Sequence, residues 1–262
     1  MNLTLFFKLL GVSVRSQMQH RASFVMLTFA HLLSTCIDIV GIWVLFDRFK
    51  LIKGWSLPEL AIVYGVVHMG FALAESAARG FDHFGLMLKS GDFDRVLLRP
   101  MSSLFQIAVS EIQLMRLGRM VQAAIVFFWG YFELGLAPAS LASAAMALSV
   151  FGCAALFYAL FIFQAALSFW TTESLELMNI TTYGGVETAQ YPMSAYGRSF
   201  RLFFTFVIPL ACVAYYPVAS ALHKDNISLA LGLLSPLSGF AFLWLATRAW
   251  AFGVGRYHSA GG

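Results

Sequence analysis

The sequence predicts an all-α polytopic membrane protein with six transmembrane helices, an N-terminal interfacial amphipathic helix, and a cytoplasmic helical element between spans two and three. Composition is the first reason. With 60% hydrophobic and 11% charged residues, a 262-residue soluble domain would lack the polar surface that keeps it dispersed in water. The apolar runs are the second. About 20 mainly apolar residues cross about 30 Å of hydrocarbon, and the segments 22–46, 57–78, 115–134, 141–170, 200–222 and 227–250 meet that need. Segregation of charge is the third, because positive loops stay on the cytoplasmic side. With the N-terminus inside, thirteen of the 17 Lys and Arg residues fall there: Lys8, Arg15, Arg21, Arg79, Lys89, Arg95, Arg99, Arg116, Arg119, Arg198, Arg201, Arg248 and Arg256. Only Arg48, Lys50, Lys53 and Lys224 are left outside. The net charge of +4 is therefore a topology signal, and no nucleic acid is implied.

The elements follow in order along a single transmembrane domain, 1–262. In segment 1–20, Lys8 interrupts the apolar stretch and no small-residue cleavage site follows, so a signal peptide is not expected. Leu3, Phe6, Phe7, Leu10 and Val14 share one helical face and Thr4, Lys8, Gly11 and Arg15 another, which suits a helix lying on the inner leaflet. Spans one and two carry polar stripes. His31, Ser34, Thr35 and Asp38 share a face of the first, and Tyr64, His68 and Glu75 a face of the second. Polar groups at membrane depth are costly, so these either satisfy one another across a helix interface or line a path or subunit seam. Asp38 is the best single candidate for the path.

The cytoplasmic stretch 79–114 follows. Phe81, Phe84 and Leu88 recur at helical spacing, Gly91 suits a helix end and Pro100 a new turn. It reads either as an amphipathic helix resting on the membrane or as a two-helix knob whose mixed charges dock a soluble partner. Beyond span four, 171–199 is expected to be a second cytoplasmic connection, with Trp170, Tyr183, Tyr191 and Tyr196 as interfacial anchors. Pro209, Pro217 and Pro236 permit kinks in or near spans five and six. Cys36, Cys153 and Cys212 lie in apolar runs and read as packing thiols. The sequence holds no phosphate-binding loop, HExxH helix or GxSxG elbow, and 79–114 is too short for a nucleotide-binding domain of roughly 100–200 residues. Uphill movement would need a separate energy-supplying subunit or an ion gradient.

GDFDRVLLRP at 91–100, Tyr191-Pro192, the VIPLA run at 207–211, Tyr216-Pro217 and the terminal RYHSAGG from Arg256 together resemble the permease subunits of type-2 ABC exporters. The similarity is strongest to a bacterial branch whose permeases occur in pairs beside an ATPase, and it covers nearly the whole chain. It implies that 82–100 is a coupling region seated on the ATPase, with Asp82, His83, Phe84, Asp92, Phe93, Asp94, Arg95, Arg99 and Pro100 carrying the contact. Residues 3–17 would be the interfacial helix, and the path would form with a second permease, identical or paralogous. Two cytoplasmic ATPase copies would hold ATP and Mg, with no cofactor and no catalytic site on this chain. The expected location is the bacterial cytoplasmic membrane, with both termini inside. One departure is the connection at 223–228, too short for the outer insertion of lipid-exporting members. Short outer loops favour export, and the apolar surface favours hydrophobic or amphipathic cargo. The alternative is an ion-gradient-driven secondary transporter using Asp38 and Glu75. A membrane-embedded transferase built on Asp82-His83 ranks behind both.

Overall fold

The computed structural model describes residues 51–113, 116–171 and 174–258, with isolated positions between Gly11 and Lys50. Every named element among them is helical, and an isolated bridge pairs Ile52 with Trp55. The His31, Ser34, Thr35 and Asp38 stripe and the interfacial helix at 3–17 lie outside the described residues, apart from Gly11.

Helix α1 (Leu57–Asp82) is the hub. Ser56 caps its first turn, Glu59 reaches back 2.8 Å to the Ser56 N–H, and Pro58 sits where no helical N–H is needed. Short helices α2 (Phe84–Ser90) and α3 (Asp92–Leu97) follow, then α4 (Ser103–Ser110), which folds back on α1 so that Gln113 N–H bonds Ser76 O at 2.9 Å. Helix α5 (Leu117–Glu133) and helix α6 (Leu141–Leu167) flank α1 along its length. Side-chain-free surface makes the approach possible: a Cβ on Gly65 would strike Phe127 of α5, and one on Gly70 would strike Cys153 of α6. Helix α6 in turn carries α11 (Leu237–Val254), which continues α10 (Leu229–Leu234) past Pro236.

Among the described residues, three helical stretches are long and apolar enough to cross a membrane, Leu57–Ser90, Leu141–Leu167 and Leu229–Val254. Helix α5, at 17 residues, falls just short of the roughly 20 that a full crossing takes.

Two expectations are corrected in the segment after α6. Residues 200–222 do not form one continuous helix. Helix α8 (Arg198–Leu202) runs into wide turns over Phe203–Val207, the chain turns at Ile208-Pro209-Leu210, and wide turns over Ala211–Tyr215 lead into α9 (Tyr216–Ala221). The two arms, Arg198–Val207 and Ala211–Ala221, meet at 86°. The cause is Pro209, which has no N–H to continue a helix and forces its predecessor out of the helical region. Ile208 accordingly sits at φ −117°, ψ 103°.

Nor is 171–199 a surface connection. Helix α7 (Ser174–Ala189) enters the bundle and runs antiparallel to α1: Tyr183 meets Glu75, Gln190 meets His68, and Tyr191 packs beside Leu60 and Tyr64. The chain thus reaches the Leu57 end before α8 begins. It is at that end again after α9, where Lys224 pairs with Glu59 at 2.9 Å. The bent pair therefore starts in the Leu57 half and returns to the Leu57 end, taking Arg198 and Arg201 away from the Asp82 end where the charge pattern had put them.

Candidate functional site

The knob between α1 and α4 is built around one backbone feature. Gly91 ends α2 at φ +76°, a left-handed conformation open to glycine at little cost, and so folds α3 back against α2. This puts Phe84 and Phe93 face to edge, ring centres 5.0 Å apart. Trp250 of α11 lies 4.7 Å from Phe84, Phe169 lies 5.1 Å from Phe84, and Tyr257 lies 5.1 Å from Phe93. Gln106 of α4 straps the knob from the other side, donating to Val96 O at 2.9 Å and Met101 O at 3.0 Å. Trp250 donates to Ser103 Oγ at 3.2 Å. The knob is thereby fixed to α6, α4 and α11 together.

Its outer face is different. Asp92, Arg95, Leu97, Leu98, Arg99 and Pro100 stand exposed, Leu98 at 85%. Asp92 pairs with Arg95 at 3.1 Å and accepts from Ser90 Oγ at 2.7 Å; Asp94 is half-buried. Of the residues assigned to partner contact, Phe84 and Phe93 are fully buried. They hold the knob from within and present nothing to a partner. Asp82 also faces inward, held by Arg79 at 2.8 Å and by Gln164 Nε2 at 3.2 Å, while exposed His83 pairs with Glu111 at 3.4 Å.

A second cluster lies deeper. Glu75, 3% exposed, pairs with Arg116 at 2.8 Å and Arg119 at 3.6 Å, and Tyr183 Oη donates to it at 2.9 Å. Arg119 also lies over the Phe71 ring at 5.5 Å. Two guanidinium groups and a phenol replace the water that one carboxylate has lost. Tyr64 and His68 stack at 3.9 Å, and a His68 ring nitrogen shares a 3.2 Å hydrogen bond with Gln190 Oε1. The α1 stripe is thus buried inside one chain with partners from α5 and α7. Among the described residues no three His, Cys, Asp or Glu side chains gather as metal ligands would.

Nothing in the sequence marks Arg116, Arg119, Tyr183 or Gln190 as site residues, and Gln164 reads there only as sharing a span-four face with Phe161 and Ser168. The available signal is Arg116 and Arg119, two cations three residues apart at the start of an apolar run, which the charge pattern alone assigns to topology; Tyr183, in a polar stretch next to a span, reads from sequence as an interfacial anchor.

A single-chain bundle with polar groups sequestered inside and a charged knob at one end fits a transport subunit. A family model described as ABC-2 family transporter protein matches residues 32–261, well over half of the chain. The protein belongs to the ABC-2 transporter family. Comparison with curated proteins and with solved structures returned no match. Membership makes this chain a multi-pass membrane permease and agrees with the resemblance carried by 91–100 and the later motifs.

Proposed function

We propose that this permease is the membrane half of an ATP-driven exporter, coupled through the 91–100 knob to cytoplasmic ATPase subunits in two copies and forming its path with a second, identical or paralogous, permease. ATP and Mg would be held by the ATPase. The observation that carries the reading is the two-faced knob in a family member: its inner aromatic face is locked to α6 and α11, and its outer face presents an apolar centre at Leu97 and Leu98 with Asp92, Arg95 and Arg99 around it. A push on that face would be passed to the long helices without loss in a soft joint.

The Asp82 end is placed in the bacterial cytoplasm. Arg79, Lys89, Arg95, Arg99, Arg116, Arg119, Arg248 and Arg256 support this by clustering toward that end, against Lys53, Arg198, Arg201 and Lys224 toward the other. With α7 taken as the fifth crossing in place of 200–222, the number of crossings stays even and both termini stay inside. Hydrophobic or amphipathic cargo suits the largely apolar bundle. An ion-gradient carrier is less well supported, because Glu75 is already neutralised by two arginines and a phenol.

The test replaces Asp92, Asp94 and Arg95 together by alanine. Co-purification of the ATPase should be lost while helical content and unfolding temperature are kept. Normal ATPase binding and transport by this triple variant would remove the docking assignment, and transport by the permease alone in reconstituted vesicles would remove the ATP-driven reading.

A further inference from the structure

At the Asp82 end, between the ends of α1 and α2 on one side and α6 and α7 on the other, lies a cavity of about 390 Å³. That is within the roughly 300–1,000 Å³ range of small-ligand clefts. Its chemistry is divided. On one wall sits Gln164, 1% exposed, whose Nε2 donates to Asp82 and whose Oε1 has no hydrogen-bond partner. A buried amide oxygen left unpaired forfeits the water it gave up, so it favours an occupant that brings an N–H or O–H donor. Asp82 beside it is already paired with Arg79 at 2.8 Å, and both line the cavity, so this wall offers a carboxylate and a guanidinium to an occupant that carries both signs of charge. Lys89, which also lines the cavity, is exposed and forms no ion pair among the described residues, offering a charge to an anionic group. Leu86, which also lines the cavity, is 65% exposed.

We propose that this cavity binds the amino-phosphate headgroup of a membrane lipid. The primary ammonium lies against Gln164 Oε1 and Asp82, the phosphate lies on Lys89, and the acyl chains leave past Leu86. An ammonium with N–H bonds is required, because a trimethylated one, as in a choline headgroup, has no N–H to give to Gln164. Gly85 borders the cavity, and a Cβ there would meet Ser168 Oγ only at 3.5 Å, so space is open for a side chain that would plug the site. The leaflet concerned follows from the membrane orientation proposed above. Binding itself needs no ATPase, so loss of lipid binding and loss of ATPase docking are separate results.

The full chain is purified in detergent and offered equal amounts of phosphatidylethanolamine, phosphatidylcholine and phosphatidylglycerol of one acyl composition, and retained lipid is read by native mass spectrometry. Phosphatidylethanolamine should be retained at least threefold over each of the others. Lys89→Gln, at an exposed position, should reduce its retention at least threefold with an unchanged unfolding temperature. Gln164→Leu should erase the preference over phosphatidylcholine, and Gly85→Leu should abolish binding. Equal retention of phosphatidylcholine or phosphatidylglycerol overturns the proposal. So does a folded Lys89→Gln protein that holds the ethanolamine lipid as the parent does. Equal binding of soluble glycerophosphoethanolamine overturns the lipid as the source of the headgroup.

Discussion

Glu75 and Asp92 are both acidic residues beside an arginine, about 3 Å from it in each case (2.8 Å to Arg116 and 3.1 Å to Arg95), yet they do different work. Glu75 is 3% exposed and shares two arginines and a tyrosine drawn from α5 and α7. Asp92 and Arg95 are 52% and 78% exposed and sit three residues apart on one short helix. The buried pair holds three helices in one arrangement, because each member left alone would be a charge without water. The exposed pair is solvated with or without its partner, so it contributes little to stability and is free to serve recognition. Burial, and not residue type, separates the two roles.

The comparison can be broken most forcefully at Glu75. Glu75→Ala strands Arg116 and Arg119 and should cost about 3–5 kcal/mol of stability. Thermal unfolding in detergent checks this, and a midpoint equal to the parent's would show that the cluster is not structural. The knob's inner face comes next. Trp250→Ala removes the ring shared by Phe81, Phe84, Phe93 and Phe169 and should cost about 3 kcal/mol or somewhat more. It should also make the 84–97 backbone exchange its amides faster, a loosening that a purely local loss would not produce. Gly91→Ala places a Cβ on a residue at φ +76° and should cost about 1–2 kcal/mol by the same unfolding assay.

At the Leu57 end, Lys224→Ala removes the ion pair to Glu59, the 2.9 Å bond to Gly54 O and the contact with the Trp55 ring. That pair is partly exposed, and the loss should be about 1 kcal/mol. Smallest for stability is the Asp92, Asp94 and Arg95 triple replacement, within about 1 kcal/mol, although its effect on ATPase association should be complete. A large fall in unfolding temperature for that variant would erase the distinction between the two acidic sites.

Much of this was legible in one dimension. The α1 and α6 spans are runs of apolar residues whose length alone predicts a crossing, and Gly91 between two helical patterns marks the fold of the knob. The charged residues of 91–100 are legible as a docking face because Asp92, Asp94, Arg95 and Arg99 gather within eight residues of a short segment between spans. Phe84 and Phe93 were placed on that face as well, since an aromatic residue in a short amphipathic helix carries no mark of which side it buries. Phe169, Trp250 and Tyr257, all distant in sequence, decide that.

The sequence by itself determined that the chain lives in a bilayer, where its long apolar helices lie, and where the turn-forming glycine and prolines break them, since transfer of apolar surface and backbone geometry are local properties. Tertiary structure alone decided which polar segment enters the bundle. Helix α7 carries Asn179, Thr182, Tyr183 and Glu187, and Gln190 follows it. By composition it belongs at the surface, but Glu75 and His68 on α1 receive its tyrosine and glutamine. A polar helix is tolerated at that depth when its hydrogen bonds are made by other helices and not by lipid. No property of residues 174–189 taken alone contains those partners.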